Sequence, residues 1–217
     1  MIFQKRTWTR EPFRKSLIDV TETGVLGDFT QIIHLGIGGS ALGPKMLHQA
    51  LKLGDEKYEL AVVSNIDGAA LEPVLERFTA SKTLLVIASK TFTTAETLLN
   101  ANAVLDWMRE DGITDPLGQV VALTAAPDQA VEWGVDETRV LPFSESVGGR
   151  YSLWSSIGFS VALALGYEAF EDLLAGAAMM DQHFRDTSWA QNIPVLAAFA
   201  CCPIIFSSSK WRATANR

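Results

Sequence analysis

Short apolar runs alternate with amphipathic segments over the first two thirds of the chain. Apolar runs typical of buried strands cover residues 29–35, 58–64, 83–88, 119–123 and 139–141. Apolar residues at helical spacing cover residues 42–53, 69–78 and 94–109, and Asp67 stands where the second helix needs an N-cap. Strands separated by helices pair in parallel through crossover connections. The pattern predicts a doubly wound α/β fold, with a mainly parallel five-stranded sheet and helices on both faces.

The pattern changes after residue 150. Residues 153–165 and 169–184 both follow helical spacing, with no strand pattern between them. We therefore expect an N-terminal arm over residues 1–28, a sheet domain over residues 29–150 and a helical extension over residues 151–217. Residues 207–217 are polar and form no closing element. This ending predicts a partial chain whose extension leads towards a second domain.

Charge and hydropathy narrow the class of partner. The 217 residues include 25 acidic and 18 basic side chains, giving a formal net charge of -7. Such a balance argues against a basic face that neutralises nucleic-acid phosphates. The sequence has no apolar run of about 18 residues and no secretory leader pattern at its start, which argues against a membrane partner. We expect a cytoplasmic protein that binds a small molecule.

A glycine-rich turn follows the first predicted strand. The run Gly36–Gly43 opens a helix, where backbone N–H groups and the helix dipole favour an anion. Three interpretations remain open: a dinucleotide site, tight structural packing, or a phosphosugar site to which Ser40 adds a hydroxyl. The dinucleotide interpretation lacks a clear acidic ribose partner after the second strand. A nucleotide P-loop fits poorly, because Pro44 and Lys45 replace the required Lys-Ser/Thr pair.

A second polar loop follows the third predicted strand. Residues 89–94 contain four hydroxyl side chains and one lysine just before a helix. Helix capping by Thr93 or Thr94 explains one of these hydroxyls, whereas a phosphate cradle explains all four. Because parallel strands end at the same edge of the sheet, we expect this loop to lie beside the glycine-rich turn.

A third cluster, residues 148–155, joins paired glycines to Arg150. Glycines allow an arginine close approach to a ligand, although a domain junction with Arg150 paired to a surface carboxylate is the simpler interpretation. Other polar residues are expected to have structural rather than catalytic roles. His34 in mid-strand is expected to be a packed core residue and His48 to lie on a helix surface, while Glu96 is expected to order the second loop.

Together these clusters resemble the leading motifs of the glucose-6-phosphate isomerase family. The segments are Leu35-Gly36-Ile37-Gly38-Gly39-Ser40, Ser89-Lys90-Thr91-Phe92-Thr93-Thr94-Ala95-Glu96-Thr97 and Gly148-Gly149-Arg150-Tyr151-Ser152-Leu153-Trp154-Ser155. The resemblance covers roughly residues 30–165 and implies a sugar-isomerase (SIS) domain with the doubly wound sheet. Beyond about Ala198 the sequence ceases to resemble the family.

The resemblance also implies roles for individual residues. Its implied substrate-binding residues are Gly39, Ser40, Ser89, Lys90, Thr91, Thr93, Thr94 and Gly149. Arg150 is the implied catalytic residue, which stabilises the enediolate formed as a proton moves between C1 and C2 of the sugar phosphate. The implied activity is interconversion of glucose 6-phosphate and fructose 6-phosphate in glycolysis and gluconeogenesis, by a homodimer without metal or other cofactor.

The same resemblance places the general base, a glutamate, in a later segment that this chain does not contain. We therefore expect the chain alone to be poorly active. Two alternatives stay open: a non-catalytic SIS domain that senses sugar phosphates, and an NAD-dependent oxidoreductase. A DNA-binding helix-turn-helix attached to the sheet domain would favour the sensor, and the sequence shows no basic recognition helix.

Overall fold

The computed structural model describes residues 29–52, 54 and 58–201. Its centre is a five-stranded sheet in the order β2-β1-β3-β4-β5, and every neighbouring pair is parallel. The strands are β1 Gln31–Gly36, β2 Glu59–Val63, β3 Thr83–Ala88, β4 Val120–Thr124 and β5 Val140–Pro142. The predicted doubly wound α/β fold is confirmed, and β3 has the predicted bounds.

Six α-helices begin and end within the described residues. They are α1 Gly39–Leu51, α2 Gly68–Arg77, α3 Ala95–Glu110, α4 Pro127–Trp133, α5 Phe159–Leu165 and α6 Tyr167–Asp186. Residues 193–201 are also helical. The predicted cap is confirmed, because the Asp67 carboxylate accepts a hydrogen bond from the N–H of Ala69 at 3.0 Å. The sequence pattern did not reveal α4, which is only seven residues long.

The two faces of the sheet are covered by different helices. Ile33 and Leu35 of β1 point into an apolar core shared with α2, α3 and α4. Because side chains alternate along a strand, His34 and Gly36 point to the opposite face. That face lies against α1, and α5 contacts β2 and α1. The buried side chains on both faces fix the sheet on which the polar loops stand.

The predicted helix over residues 153–165 is wrong in its first half. The chain instead forms 3-10 turns at Gly149–Trp154 and Ser156–Gly158 before α5 begins. Ser155 separates the two turns because its backbone is extended, with φ -105° and ψ -167°. Its hydroxyl donates to the Ser152 carbonyl at 2.5 Å and accepts from the Ile157 N–H at 3.3 Å. These local bonds compete with a continuous helix.

Residues 29–170 of the described chain belong to one compact unit and residues 171–201 to a second. The predicted domain boundary at residue 150 stays a prediction. The arm predicted over residues 1–28 and the extension beyond residue 201 lie outside the described residues. Across the described chain, every helix is too short or too polar to cross a lipid bilayer.

Candidate functional site

The glycine-rich turn and the polar loop lie side by side, as the sequence predicts. Strands β1 and β3 are parallel neighbours, and Gly36 at the end of β1 pairs with Ala88 at the end of β3. In a sheet of order 2-1-3-4-5 the direction of winding reverses between β1 and β3. The edge beyond these two strands is therefore the place where this architecture binds a ligand.

The glycine-rich turn brings the start of α1 down onto the end of the sheet. A Cβ built on Gly36 would lie 3.0 Å from the Ser40 carbonyl oxygen and 3.1 Å from that of Ala88. Gly38, with φ 58°, occupies the N-cap position and contributes no capping side chain, and the first turn of α1 has no acidic residue. The positive end of the α1 dipole is thus left without a carboxylate that would compete with an anion.

The polar loop after β3 is anchored through its main chain to β4. The Lys90 carbonyl accepts hydrogen bonds from the Ala125 N–H at 2.9 Å and from the Thr124 hydroxyl at 3.1 Å. The Ser89 side chain is buried, and its hydroxyl lies 3.1 Å from that of Thr94. The Lys90 side chain remains exposed. The anchored backbone therefore presents an exposed lysine side chain at this edge of the sheet.

Phe92 pins the middle of this loop into the core. It has a positive φ of 53° yet is 2% exposed, and its ring meets Trp133 edge to face with centroids 5.9 Å apart. On either side of it, the exposed hydroxyls of Thr91 and Thr93 lie 2.8 Å apart. Because Phe92 is buried, the two threonines that flank it point outwards, with their hydroxyls close together.

The capping interpretation of the loop receives little support. Thr94 occupies the N-cap position of α3, but its side chain makes no hydrogen bond to the main-chain N–H groups at the start of this helix. Its hydroxyl meets Ser89 instead. Glu96 is exposed in the first turn of α3, where its charge complements the helix dipole.

The third cluster lies against both the glycine-rich turn and the polar loop. A Cβ built on Gly39 would lie 2.5 Å from Cα of Gly149, and one built on Gly148 would lie 3.4 Å from Nζ of Lys90. The buried Ser152 hydroxyl joins the segments by donating towards the Gly149 carbonyl at 2.7 Å and the Gly39 carbonyl at 3.2 Å. The three motifs, far apart in the sequence, therefore form one continuous surface.

Arg150 lies in this third cluster, directly after Gly149. Its side chain is exposed, and its guanidinium carbon lies 5.5 Å from the ring centroid of Tyr151, which is itself 67% exposed. A guanidinium stacked on a ring keeps its N–H groups free to face a ligand. The structure thus brings Arg150 to the surface beside the glycine contact, with the ring of its neighbour as support.

His34 is the fully buried titratable residue beneath the site. Its Nε2 lies 2.7 Å from the Ser40 carbonyl oxygen and its Nδ1 lies 2.7 Å from the Ser160 hydroxyl. Burial lowers the pKa of His34 from 6.5 to about 4, although the bond to the Ser40 carbonyl acts in the opposite direction. The prediction of a packed, hydrogen-bonded core residue is confirmed.

The surface prediction for His48 is wrong. This residue is only 8% exposed, because it falls on the inward face of α1 with Ala41, Pro44 and Leu47. Ser152 lies in the third predicted cluster, but the sequence assigned no role to it; its bonds to Gly149 and Gly39 appear only in the structure. The local signal was its position three residues after Gly149, since a hydroxyl side chain can bond back to a nearby main-chain carbonyl. Within the described ranges, no cluster of three or more His, Cys, Asp or Glu side chains is arranged to hold a metal ion.

Comparison with known proteins finds the same family that the three motifs resemble. The family model for phosphoglucose isomerase matches residues 14–210. Glucose-6-phosphate isomerase of Rhizorhabdus wittichii is 64% identical over 185 residues, which are 85% of this chain and 37% of the relative. That of Zymomonas mobilis is 55% identical over 186 residues, covering 86% of this chain and 37% of the relative.

Solved structures agree with the fold. The crystal structure of a glucose-6-phosphate isomerase from Chlamydia trachomatis superposes with a TM-score of 0.76 at 30% identity, covering 88% of this chain and 37% of that one. A hypothetical protein from Thermus thermophilus has the same fold, with a TM-score of 0.72 at 24% identity over 90% of this chain and 47% of that one.

The chain spans 37% of the length of these two curated relatives. The family match reaches residue 210, so the expectation that the resemblance ends near Ala198 is wrong. Since the matched region includes all three polar segments and the sheet that brings them together, the chain belongs to the phosphoglucose isomerase family.

Proposed function

We propose that this chain carries the phosphate-binding part of an aldose–ketose isomerase that interconverts glucose 6-phosphate and fructose 6-phosphate. The observation that carries the proposal is the convergence of the three segments. Gly39 packs against Gly149, and Lys90 lies beside Gly148. The relatives named glucose-6-phosphate isomerase support the choice of substrate.

In this proposal the phosphate binds between the start of α1 and the loop after β3. The positive end of the α1 dipole and the exposed ammonium of Lys90 supply favourable charge. Hydroxyl groups complete the site as hydrogen-bond donors, from Ser40, Ser89, Thr91, Thr93 and Thr94. A phosphate held away from the reacting carbons fixes the orientation of the sugar. Binding then supplies the loss of rotational and translational freedom that would otherwise add to the activation barrier.

Arg150 is proposed to act at the other end of the sugar. Removing a proton from the carbon next to a carbonyl leaves negative charge on oxygen. A fixed guanidinium beside that oxygen lowers the barrier by several kcal/mol, about the effect of a single oxyanion donor in other enzymes. The glycine on the N-terminal side of Arg150 allows the main chain, and therefore the guanidinium, to approach the substrate closely.

The reaction also needs a general base, which we propose lies outside this chain. Glu96 is the nearby carboxylate along the second motif, but it is exposed at the start of α3 and suits stabilisation of that helix. We further propose that the full-length enzyme is a cytoplasmic homodimer of glycolysis and gluconeogenesis. It needs no cofactor, because both the proton transfer and the charge stabilisation use protein groups.

The test is a calorimetric titration of the chain with 6-phosphogluconate. Lys90→Ala removes a charge-assisted contact worth about 1.5–3 kcal/mol, so the dissociation constant is expected to rise about 10- to 100-fold. Lys82→Ala is the matched control, because Lys82 is an exposed lysine just before β3, at the opposite edge of the sheet. Its dissociation constant should match that of the unmodified chain.

No binding by a folded chain would overturn the phosphosugar assignment. A parallel titration with NADH, followed by nicotinamide fluorescence, addresses the dinucleotide interpretation of the glycine-rich turn. Saturable NADH binding that resists competition by 6-phosphogluconate would favour an oxidoreductase.

A further inference from the structure

Helix α1 contains a proline in its second turn, and this proline affects one particular carbonyl group. In an α-helix the carbonyl of residue i accepts a hydrogen bond from the N–H of residue i+4. Pro44 stands four residues after Ser40 and has no N–H. The Ser40 carbonyl is therefore denied its helical donor at the point where α1 rests on the sheet.

The imidazole of His34 supplies the missing donor. Its Nε2 lies 2.7 Å from the Ser40 carbonyl oxygen, in surroundings where His34 is 0% exposed. A carbonyl oxygen can only accept, so Nε2 carries the proton. Nδ1 of the neutral ring is then an acceptor, and the Ser160 hydroxyl, 2.7 Å away and also 0% exposed, donates to it. The geometry thus selects one tautomer of the neutral ring.

The local packing ties this bond to the glycine-rich turn. His34 and Gly36 lie on the same face of β1, two residues apart. Because Gly36 has no Cβ, the Ser40 carbonyl fits over the end of the strand, where an added Cβ would lie only 3.0 Å from it. The direction of the Ser40 peptide is therefore set from below by the sheet and by the histidine.

We propose that His34 is a positioning residue of the glycine-rich turn: as its Nε2–H tautomer, it replaces the hydrogen bond that Pro44 denies to Ser40, and so holds Ser40 for ligand binding. The binding part rests on the proposed phosphosugar function. The tautomer and the pairing of His34 with Pro44 do not, because both follow from the protein's own hydrogen bonds. A side chain that only filled the core would show neither a selected tautomer nor a coupling to Pro44.

The first measurement is the ¹⁵N NMR spectrum of the histidine rings in the unmodified chain at neutral pH. His34 is expected to show the Nε2–H tautomer. His183 is the internal control, because its Nε2 accepts from the Ile193 N–H at 3.0 Å, which requires the proton of a neutral ring to be on Nδ1. The Nδ1–H tautomer at His34, or a charged ring, would overturn the proposal.

The second measurement is a double-mutant cycle between His34 and Pro44. His34→Leu leaves the Ser40 carbonyl without a donor, and we expect 6-phosphogluconate to bind about 10-fold more weakly. Pro44→Ala restores a main-chain N–H at position 44, so in the His34→Leu background it should recover most of the lost affinity. Pro44→Ala alone should have little effect. Equal affinities for His34→Leu with and without Pro44→Ala would overturn the proposal.

His34→Gln provides a variant that keeps both hydrogen bonds, because an amide carries one donor and one acceptor group as the neutral imidazole does. It should bind nearly as tightly as the unmodified chain even if His34→Leu fails to fold. If His34→Gln folded but bound 6-phosphogluconate about 10-fold more weakly than the unmodified chain, the positioning role of His34 would be overturned.

Failure of the proposed function is distinguishable from failure of this inference. If the unmodified chain binds no 6-phosphogluconate, the phosphosugar assignment falls, and the same cycle is read from thermal unfolding midpoints. A midpoint lowered by His34→Leu and raised again by Pro44→Ala then supports the replaced hydrogen bond. Additive effects of the two substitutions on the midpoint would overturn it.

Discussion

Gly39 lies directly against Gly149, so closely that a Cβ on Gly39 would lie 2.5 Å from Cα of Gly149 and closer still to its carbonyl group. Gly149 has a φ of 56°, which L side chains rarely adopt. The contact joins the turn after β1 to the segment that carries Arg150. The proposed phosphate-binding and charge-stabilising groups are thus held together by main chain packed on main chain.

Gly39→Ala is expected to separate these two segments. The atoms that the new methyl group meets belong to the backbone of Gly149 and cannot rotate away. We expect a loss of at least about 1–3 kcal/mol in the free energy of unfolding, measured by urea denaturation, and a clear loss of 6-phosphogluconate affinity.

Gly176→Ala is the matched control for that substitution. Gly176 lies inside α6, and a Cβ built there meets nothing within 4 Å. Alanine at such a helical position should raise the free energy of unfolding by roughly 0.5–1 kcal/mol. If Gly39→Ala behaved like Gly176→Ala, the close contact between Gly39 and Gly149 would be disproved.

The sequence predicted the sheet well because its strands are continuous apolar runs bounded by polar or glycine residues. The six residues of β3 are all buried, and no helical pattern competes with them. Helix α4 was missed since seven residues give barely two turns of periodicity. The site residues were found because glycines and hydroxyls directly follow strands, and the topology of parallel sheets brings such loops together.

Individual residue contacts between distant segments could not be predicted. Nothing local to Gly39 indicates that Gly149 will pack on it, and nothing local to His34 indicates that its partner will be the Ser40 carbonyl. The sequence also gave no sign that Ser152 would bond to Gly39. Such contacts depend on how α1 and the 3-10 turns pack in three dimensions, which periodicity does not encode.

Phe92→Ala is expected to loosen the loop that carries Lys90. Phe92 is 2% exposed and packs edge to face on Trp133, so truncation should cost about 3–5 kcal/mol in the free energy of unfolding. Its φ of 53° favours glycine over alanine. Phe92→Gly should therefore be at least as stable as Phe92→Ala, the reverse of the usual order.

Val131→Ala serves as the control for Phe92→Ala, because Val131 lies in α4 beside Trp133 but is 43% exposed. A change within about 0.5 kcal/mol is expected for such a surface position. The interpretation of Phe92 as an anchor would be wrong if Phe92→Ala and Val131→Ala gave similar urea midpoints.

Thr97→Val tests a buried hydroxyl in the first turn of α3. Thr97 is 1% exposed, and its Oγ1 has no hydrogen-bond partner among the described residues. Valine has nearly the same shape and removes the cost of burying an unsatisfied polar group. The free energy of unfolding should stay the same or rise by about 1 kcal/mol. A fall of more than about 1 kcal/mol in urea denaturation would mean that the hydroxyl has a partner, such as a bound water.

The buried imidazole of His34 makes stability depend on pH. Burial lowers its pKa to about 4 in the folded chain, against 6.5 when solvated. Between these values the unfolded state binds a proton that the folded state does not, so the free energy of unfolding falls as pH decreases through this window. The slope from this one group is at most about 1.4 kcal/mol per pH unit.

His34→Gln isolates that contribution, because glutamine keeps the hydrogen-bonding groups but does not titrate. Urea denaturation of both proteins at about pH 7.5 and about pH 5 gives two changes in the free energy of unfolding. The change should be larger for the unmodified chain by about 1–2 kcal/mol. Carboxylates titrate equally in both proteins and cancel in the difference. If the two proteins lost the same stability between these pH values, His34 would not be a buried neutral imidazole in the folded chain.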